Sequence, residues 1–482
     1  MKVLSVALIR ESEENAVKSG AFSLRELMFR AGSAAAEIIM QKYGCAGKRT
    51  AVVCGRGNNG GDGCVIAEIL ARHGADVTVV TPLGEPKTEN AAYYYGRLCL
   101  AKKADTVPEN TDIVVDALFG IGLDRPLEGA AAEAVKAINT VTGIKIAVDV
   151  PSGVGSDSGK ILGTAVKADL TVTFIALKPG LLLPEGSDMC GEIQVADIGA
   201  EPVSYSYLTT EKPVFEKRRR NSHKGSFGTA VMFCGSYGMA GAAILAAKAA
   251  LRSGAGILKA VLCDGIYAPF TASVPEAVCV PLKQTDKGTL PPDGIDYEKI
   301  LSGCSAVLAG CGLGNNADTA EIVKALCENS EIPIVIDADG INALCGSIDI
   351  IKKRKAPVIL TPHPGEMARL CSLTVADIEA DRVGAARKFA AEYGCVLVLK
   401  GANTVIATPK GEIFFNLTGN PGMATGGSGD LLSGIIVSLL AQGFPADEAA
   451  KAGVYLHGEA GDKAAAKRGE RAMLPSDMIK EL

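Results

Sequence analysis

Residues 51–63 read AVVCGRGNNGGDG, and this stretch decides the fold. Residues 51–54 form a short apolar run that suits a buried strand. Glycines follow, and an apolar helical pattern then covers residues 62–73. A strand that passes through a tight Gly-rich turn into a helix is the building unit of a parallel sheet. The alternation continues outward. Runs at 77–81, Ile113–Ala117, 144–150 and Leu170–Phe174 read as strands, with helices over 89–101 and 129–139. Helical patterns over residues 14–43 precede them.

Around residues 201–224 the pattern lapses into Pro202, Pro213 and the basic run Lys217, Arg218, Arg219, Arg220. This marks a linker, and domains are expected over 1–212 and 213–482. Alternation then restarts. Strands fit 230–234, 258–263, 306–309, 333–337, 357–360, 396–399 and 404–407. Helices fit 240–253, 319–327, 364–371, 375–393, 430–442 and 447–466. A chain of 482 residues exceeds one ordinary domain. The expected class is α/β, with two tandem domains, the first a doubly wound sheet.

A net charge of −5 argues against nucleic-acid and membrane-surface partners. No apolar stretch is long enough to span a bilayer. Residues 3–9 are apolar but run into Arg10 and Glu11 without a cleavage site, so no signal peptide is expected. Fourteen cysteines occur with no Cys-x-x-Cys pair, which reads as reduced core thiols in a cytoplasmic protein. A homo-oligomer is the expected assembly.

The turn at 55–63 matches G-x-G-x-x-G, the dinucleotide-binding fingerprint. Two features depart from a plain dehydrogenase. An Asn-Asn-Gly-Gly-Asp core adds polar side chains, and the next strand ends in Val80, Thr81 and Pro82 without an acidic residue. Other strands also end in polar groups: Asp116 in one, Asp149 followed by Ser152 in another. Ligands bind at the carboxyl ends of parallel strands, so Asn59, Asp116 and Ser152 are expected to share a crevice. Hard oxygen donors of this kind suit a monovalent or divalent cation rather than zinc.

The motifs GRGNNGGDG, DALFGIGLDRP and DVPSG resemble the NAD(P)H-hydrate epimerase family, the YjeF N-terminal domain, over residues 1–210. The resemblance implies a Rossmann-like fold. It implies that Asn58, Asn59, Gly60, Gly61, Asp62, Gly120, Ile121, Gly122, Leu123, Asp124, Arg125, Pro126 and Asp149 contact a hydrated nicotinamide nucleotide. It also implies that Asn59, Asp116 and Ser152 hold potassium (K+). Epimerisation needs a proton carrier. Asp149 is the first candidate and Lys178 the second.

In the second half, residues 420–443 read NPGMATGGSGDLLSGIIVSLLAQG. A Gly-rich turn opening an apolar helix offers free backbone N–H groups and the positive end of a helix dipole to an anion. Asp430 sits where a bound phosphate would lie. It is either a capping residue or a base acting on a group that attacks that phosphate. Three further strand ends carry Gly310 to Gly314, then Thr361, His363 and Glu366, then Lys400 and Asn403. No G-x-x-x-x-G-K-[ST] is present, so this is no P-loop.

TPHPGEMARL, KGANTVI and NPGMATGGSGD resemble the ADP-dependent NAD(P)H-hydrate dehydratase family over residues 215–482. The resemblance implies a ribokinase-like α/β fold. It implies that Lys400, Gly401, Ala402, Asn403, Thr404 and Gly429 contact ADP or AMP. Ala242, Gly312, His363 and Asp430 would contact the hydrate, and magnesium (Mg2+) would bridge the phosphates near Glu366. Cys311 stands where that family commonly shows proline. The expected reaction has Asp430 deprotonate the ring hydroxyl of NADHX or NADPHX as it attacks the terminal phosphoryl group of ADP. Residues 427–429 would stabilise the charge. The rival reading is a small-molecule (vitamin-precursor) kinase fused to a nucleotide-binding scaffold domain. It would release a stable phosphorylated product.

Overall fold

Apolar, β-branched runs end in glycine-rich turns throughout the chain, and each half builds its own sheet from them. The computed structural model describes residues 1–482 as two units, Met1–Leu208 and Thr209–Leu482.

In the first unit a short β1 (Lys2–Val3) pairs antiparallel with β9 (Tyr207–Thr209) through Val3 and Tyr207. The main sheet holds β2 (Arg49–Cys54), β3 (Asp76–Val80), β4 (Lys102–Ala104), β5 (Ile113–Ala117), β6 (Ile144–Val148), β7 (Leu170–Phe174) and β8 (Glu192–Ala196). Their order is β4-β3-β2-β5-β6-β7-β8, and every neighbouring pair is parallel. β5 and β7 are buried along their whole length, as strands covered on both faces must be. The winding reverses between β2 and β5, and a ligand crevice opens at such a switch point. Here Gly55 N–H donates to Ala117 O at 2.9 Å. A Cβ at Gly55 would lie 1.8 Å from Leu118 O, so glycine is what lets the two exit loops meet.

The second unit has β10 (Thr229–Phe233), β11 (Ile257–Cys263), β12 (Val278–Leu282), β13 (Ala306–Ala309), β14 (Ile334–Ile336), β15 (Val358–Leu360), β16 (Val396–Leu399), β17 (Val405–Ala407) and β18 (Ile413–Phe415). Their order is β12-β11-β10-β13-β14-β15-β16-β17-β18, parallel except at the last two pairings. Helix Ser428–Ala441 is buried at every position from Leu431 to Ala441. It is apolar all round because protein surrounds it.

Several boundaries differ from expectation: the expected helix over 89–101 ends at Tyr95, and the pattern over 14–43 is two helices, Val6–Lys18 and Leu24–Tyr43. The helices after the two Gly-rich turns begin at Asn58 and Ser428, so Asp430 lies within the first turn of its helix and Asp62 just beyond the first turn of its own. The expected helix over 375–393 is two, Val375–Ala380 and Arg382–Tyr393, because Asp381 turns its side chain to accept from Gly384 N–H and starts a new helix. β4, β8, β12 and β18 were absent from the sequence pattern. β4, β8 and β12 end their sheets and carry exposed residues, and β18 is only three residues long.

Candidate active sites

In the first unit the carboxyl ends of β2, β5 and β6 open onto a cavity of about 870 Å³. Asn58, Asn59, Asp62, Gly120, Ile121, Gly122, Leu123, Arg125 and Asp149 line it. Gly60 and Gly61 are turned into the scaffold: a Cβ would lie 1.9 Å from Gly55 O at the first and 2.5 Å from Met28 Sδ at the second. Asp124 and Pro126 are exposed beside the cavity loop and do not line it.

Asp149 leaves its strand in a left-handed conformation, φ 70°, which costs free energy for a non-glycine residue and concentrates at functional sites. Its Oδ1 accepts from Lys178 Nζ at 2.7 Å and its Oδ2 from Ile121 N–H at 3.1 Å. Lys178 is fully buried and also donates to Thr173 Oγ1 and Phe174 O. Asp116 lies behind the cavity wall. Its Oδ1 accepts from Ser152 Oγ at 2.7 Å and its Oδ2 from Ser152 N–H at 2.8 Å. Burial pushes it up to about 6 despite those bonds. Asn59 is near Gly120 and Asp149, and both its amide atoms are buried without a partner.

In the second unit a cavity of about 750 Å³ is lined by Asp337, His363, Glu366, residues 400–404, Gly429 and Asp430. Gly427, at φ 95°, caps the helix, which places Asp430 third in the first turn and rules out the capping reading. Asp430 is pushed up to about 6 by burial first and by the charge of Asp337 second; Cys311 and Lys400 pull the other way. Asp337 is almost fully buried. It accepts from Lys400 Nζ at 2.7 Å and from Ser433 Oγ at 2.7 Å. Burial works against its ionisation, but Lys400 and the hydrogen bonds outweigh it and hold Asp337 below the usual range.

His363 caps helix Pro364–Cys371: its Nδ1 accepts from Gly365 and Glu366 N–H, and Glu366 Oε2 accepts from His363 N–H at 2.8 Å. Gly312 and Ala242 are brought together, since a Cβ on Gly312 would lie 2.9 Å from Ala242 Cβ. Neither lines the main cavity.

Residues 230–482 match the family model described as NAD(P)H-hydrate dehydratase, and residues 24–180 that of the YjeF-related protein N-terminus. The bifunctional NAD(P)H-hydrate repair enzyme Nnr of Moorella thermoacetica is 39% identical over 479 residues, covering 94% of this chain and 90% of that protein. The chain belongs to the bifunctional NAD(P)H-hydrate repair enzyme family. The family's Escherichia coli member is 35% identical, covering 98% of this chain and 92% of its own. Among solved structures, the ADP/ATP-dependent NAD(P)H-hydrate dehydratase from Bacillus subtilis co-crystallised with ATP/Mg2+ is 31% identical. It covers 55% of this chain and 91% of that one, with a TM-score of 0.48.

In this member of the NAD(P)H-hydrate repair family, Cys311 is fully buried and its thiol lies 3.9 Å from Asp337 Oδ2. Cys311, Asp337 and Asp430 bring their ligand atoms within 4.8 Å of one another. Sequence reasoning missed Asp337, which follows β14 just as Asp149 follows β6; the rule applied to the first half would have found it. It also missed Ser433 and His457. His457 lines the cavity, meets Ser428 Oγ at 3.2 Å, and is pushed down to about 4 by burial. It sits mid-helix, where no sequence signal separates it from an ordinary core histidine. No helix of the chain is long and apolar enough to cross a membrane.

Proposed function

We propose that the chain repairs hydrated NADH and NADPH: the first domain interconverts R and S hydrates, and the second dehydrates the S form while ADP becomes AMP and phosphate. The observation that carries the second half is Asp430, a half-buried carboxyl in the first turn of a helix, beside the Asp337–Lys400 pair. The names of full-length relatives support both halves.

Asp430 takes the proton of the ring hydroxyl as its oxygen attacks the terminal phosphoryl group of ADP. First-turn N–H groups at Gly427, Ser428 and Gly429 face the developing charge. Lys400, fixed by Asp337, supplies a positive charge to the phosphates, and Gly401, Ala402, Asn403 and Thr404 take the rest of the nucleotide. Phosphate then leaves, driven by the lone pair of the ring nitrogen, and loss of a proton from the adjacent carbon restores the dihydropyridine. His363, Gly312 and Ala242 hold the hydrate. When bound, magnesium neutralises phosphate charge. Glu366, which lines the same cavity, fits as its neighbour. In the first domain the oxygen donors Asn59, Asp116 and Ser152 fit potassium, and the unpartnered Asn59 amide supports this. A cation held there would supply fixed positive charge to the cavity.

Incubation with S-NADHX and ADP, followed by absorbance of restored NADH, tests the reading. Recovery with release of inorganic phosphate is expected. A stable phosphorylated product, or no recovery with either ADP or ATP, sinks it.

A further inference from the structure

The first cavity contains a carboxyl group that no motif announced. Glu13 lies on helix Val6–Lys18, and Ile9, Arg10 and Glu13 share the face that lines the cavity. The helix is fastened at this spot. Leu4 N–H donates to Leu177 O and Val6 N–H to Asp157 Oδ1, each at 2.9 Å, and Leu4 and Ile9 pack on Ala176. Glu13 is thereby held in the same cavity lining as Lys178, Asp149 and Asp62.

These groups differ in what they are free to do. Asp149 has one oxygen on Lys178 and the other on Ile121 N–H, so it is held in place. No protein hydrogen bond ties Glu13. Burial first and the charge of Asp149 second push it up to about 7, against the pull of Lys178 and Arg10. Asp62 is raised well above the usual range by burial, then by Asp149 and Glu13. Two carboxyls raised by burial in one cavity are candidates for proton transfer.

We propose that Glu13 is the proton carrier of the epimerase reaction, acting on the ring hydroxyl of the hydrate; this rests on the reading that the cavity takes NAD(P)H hydrates. As a carboxylic acid, Glu13 gives its proton to the hydroxyl oxygen. The C–O bond breaks, water leaves, and the ring nitrogen's lone pair forms a C=N bond. Water adds to the opposite face of that carbon, the C=N electrons return to nitrogen, and the surplus proton passes to the Glu13 carboxylate through the departed water. Protons and charge balance, and no co-reactant is consumed. Asp149, anchored by Lys178, faces the transient positive ring.

The test uses the full chain with R-NADHX, and S-NADHX dehydration as internal control. Glu13→Gln should lower kcat for R-hydrate conversion by roughly 10²–10⁴-fold with little change in KM. The wild-type epimerase kcat/KM should fall as pH rises through about 7, where Glu13 loses its proton. Glu13→Asp should retain turnover with that limb displaced. A Glu13→Gln enzyme within about tenfold of wild type, or one altered in KM alone, overturns the proposal. If Glu13→Gln loses its first-domain melting transition, the Glu13→Asp profile decides, and an undisplaced limb overturns it. A wild-type chain that never converts R-NADHX overturns the epimerase reading itself, and Glu13 with it.

Discussion

To serve as the proposed base, Asp430 must lose a proton that its surroundings retain. Its carboxyl moves from an ordinary 3.8 to about 6 on folding, so between those values the folded chain binds more protons than the unfolded one. Stability therefore falls as pH rises through that window, and the penalty is complete above about 6. Two outcomes follow for Asp430→Asn. Dehydratase turnover should fall by about 10²–10⁴-fold while ADP binding survives, measured by steady-state kinetics and calorimetry. The same variant should melt at a higher temperature than wild type at pH 8, with the difference gone near pH 3. A lower melting temperature at pH 8 would contradict the burial account. Function here is held at the expense of stability.

Among the elements, helix Ser428–Ala441 carries the strongest packing constraint. A Cβ on Gly434 would lie 2.2 Å from Ala246 O, on the backbone of helix Ala240–Arg252. Alanine normally favours a helix over glycine, by about 1 kcal/mol. At position 434 the sign should reverse: Gly434→Ala is expected to destabilise by about 1–3 kcal/mol in urea unfolding, because backbone must move to admit the methyl. The same elements explain what sequence could reveal. Strands buried on both faces, such as β5 and β7, read as continuous apolar runs, and glycine turns marked their exits. Edge strands read poorly: β8 is Glu-Ile-Gln-Val-Ala, with only its last residue buried. Asp430, Lys400 and Asp149 stood in recognisable motifs. Glu13 did not. It lies among Glu11, Glu13 and Glu14 on an amphipathic helix, and only the fold separates the one facing the cavity from its exposed neighbours.

For the whole molecule, two sites of different stereochemical duty sit in one chain. A dehydratase acting only on the S form leaves half of a mixed pool behind. With equal R and S hydrate and excess ADP, the intact chain should restore all the NADH, followed to completion by absorbance. Asp149→Ala, which strands the buried Lys178 ammonium without its carboxylate, should stall near half. Full recovery by that variant would detach the first cavity from the reaction.

Helix Ser428–Ala441 begins at the Gly-rich turn and runs inward to Ser438, whose Oγ accepts from Ala255 N–H, and to Gln442, which donates to Ser253 O. Wrapped in protein along its length, it has no soft joint at which a disturbance could dissipate. Nucleotide held at its first turn must then slow amide hydrogen exchange at residues 253–255, at the opposite end of the rod. Mass spectrometry of that peptide would report occupancy of the catalytic turn without any label in the site.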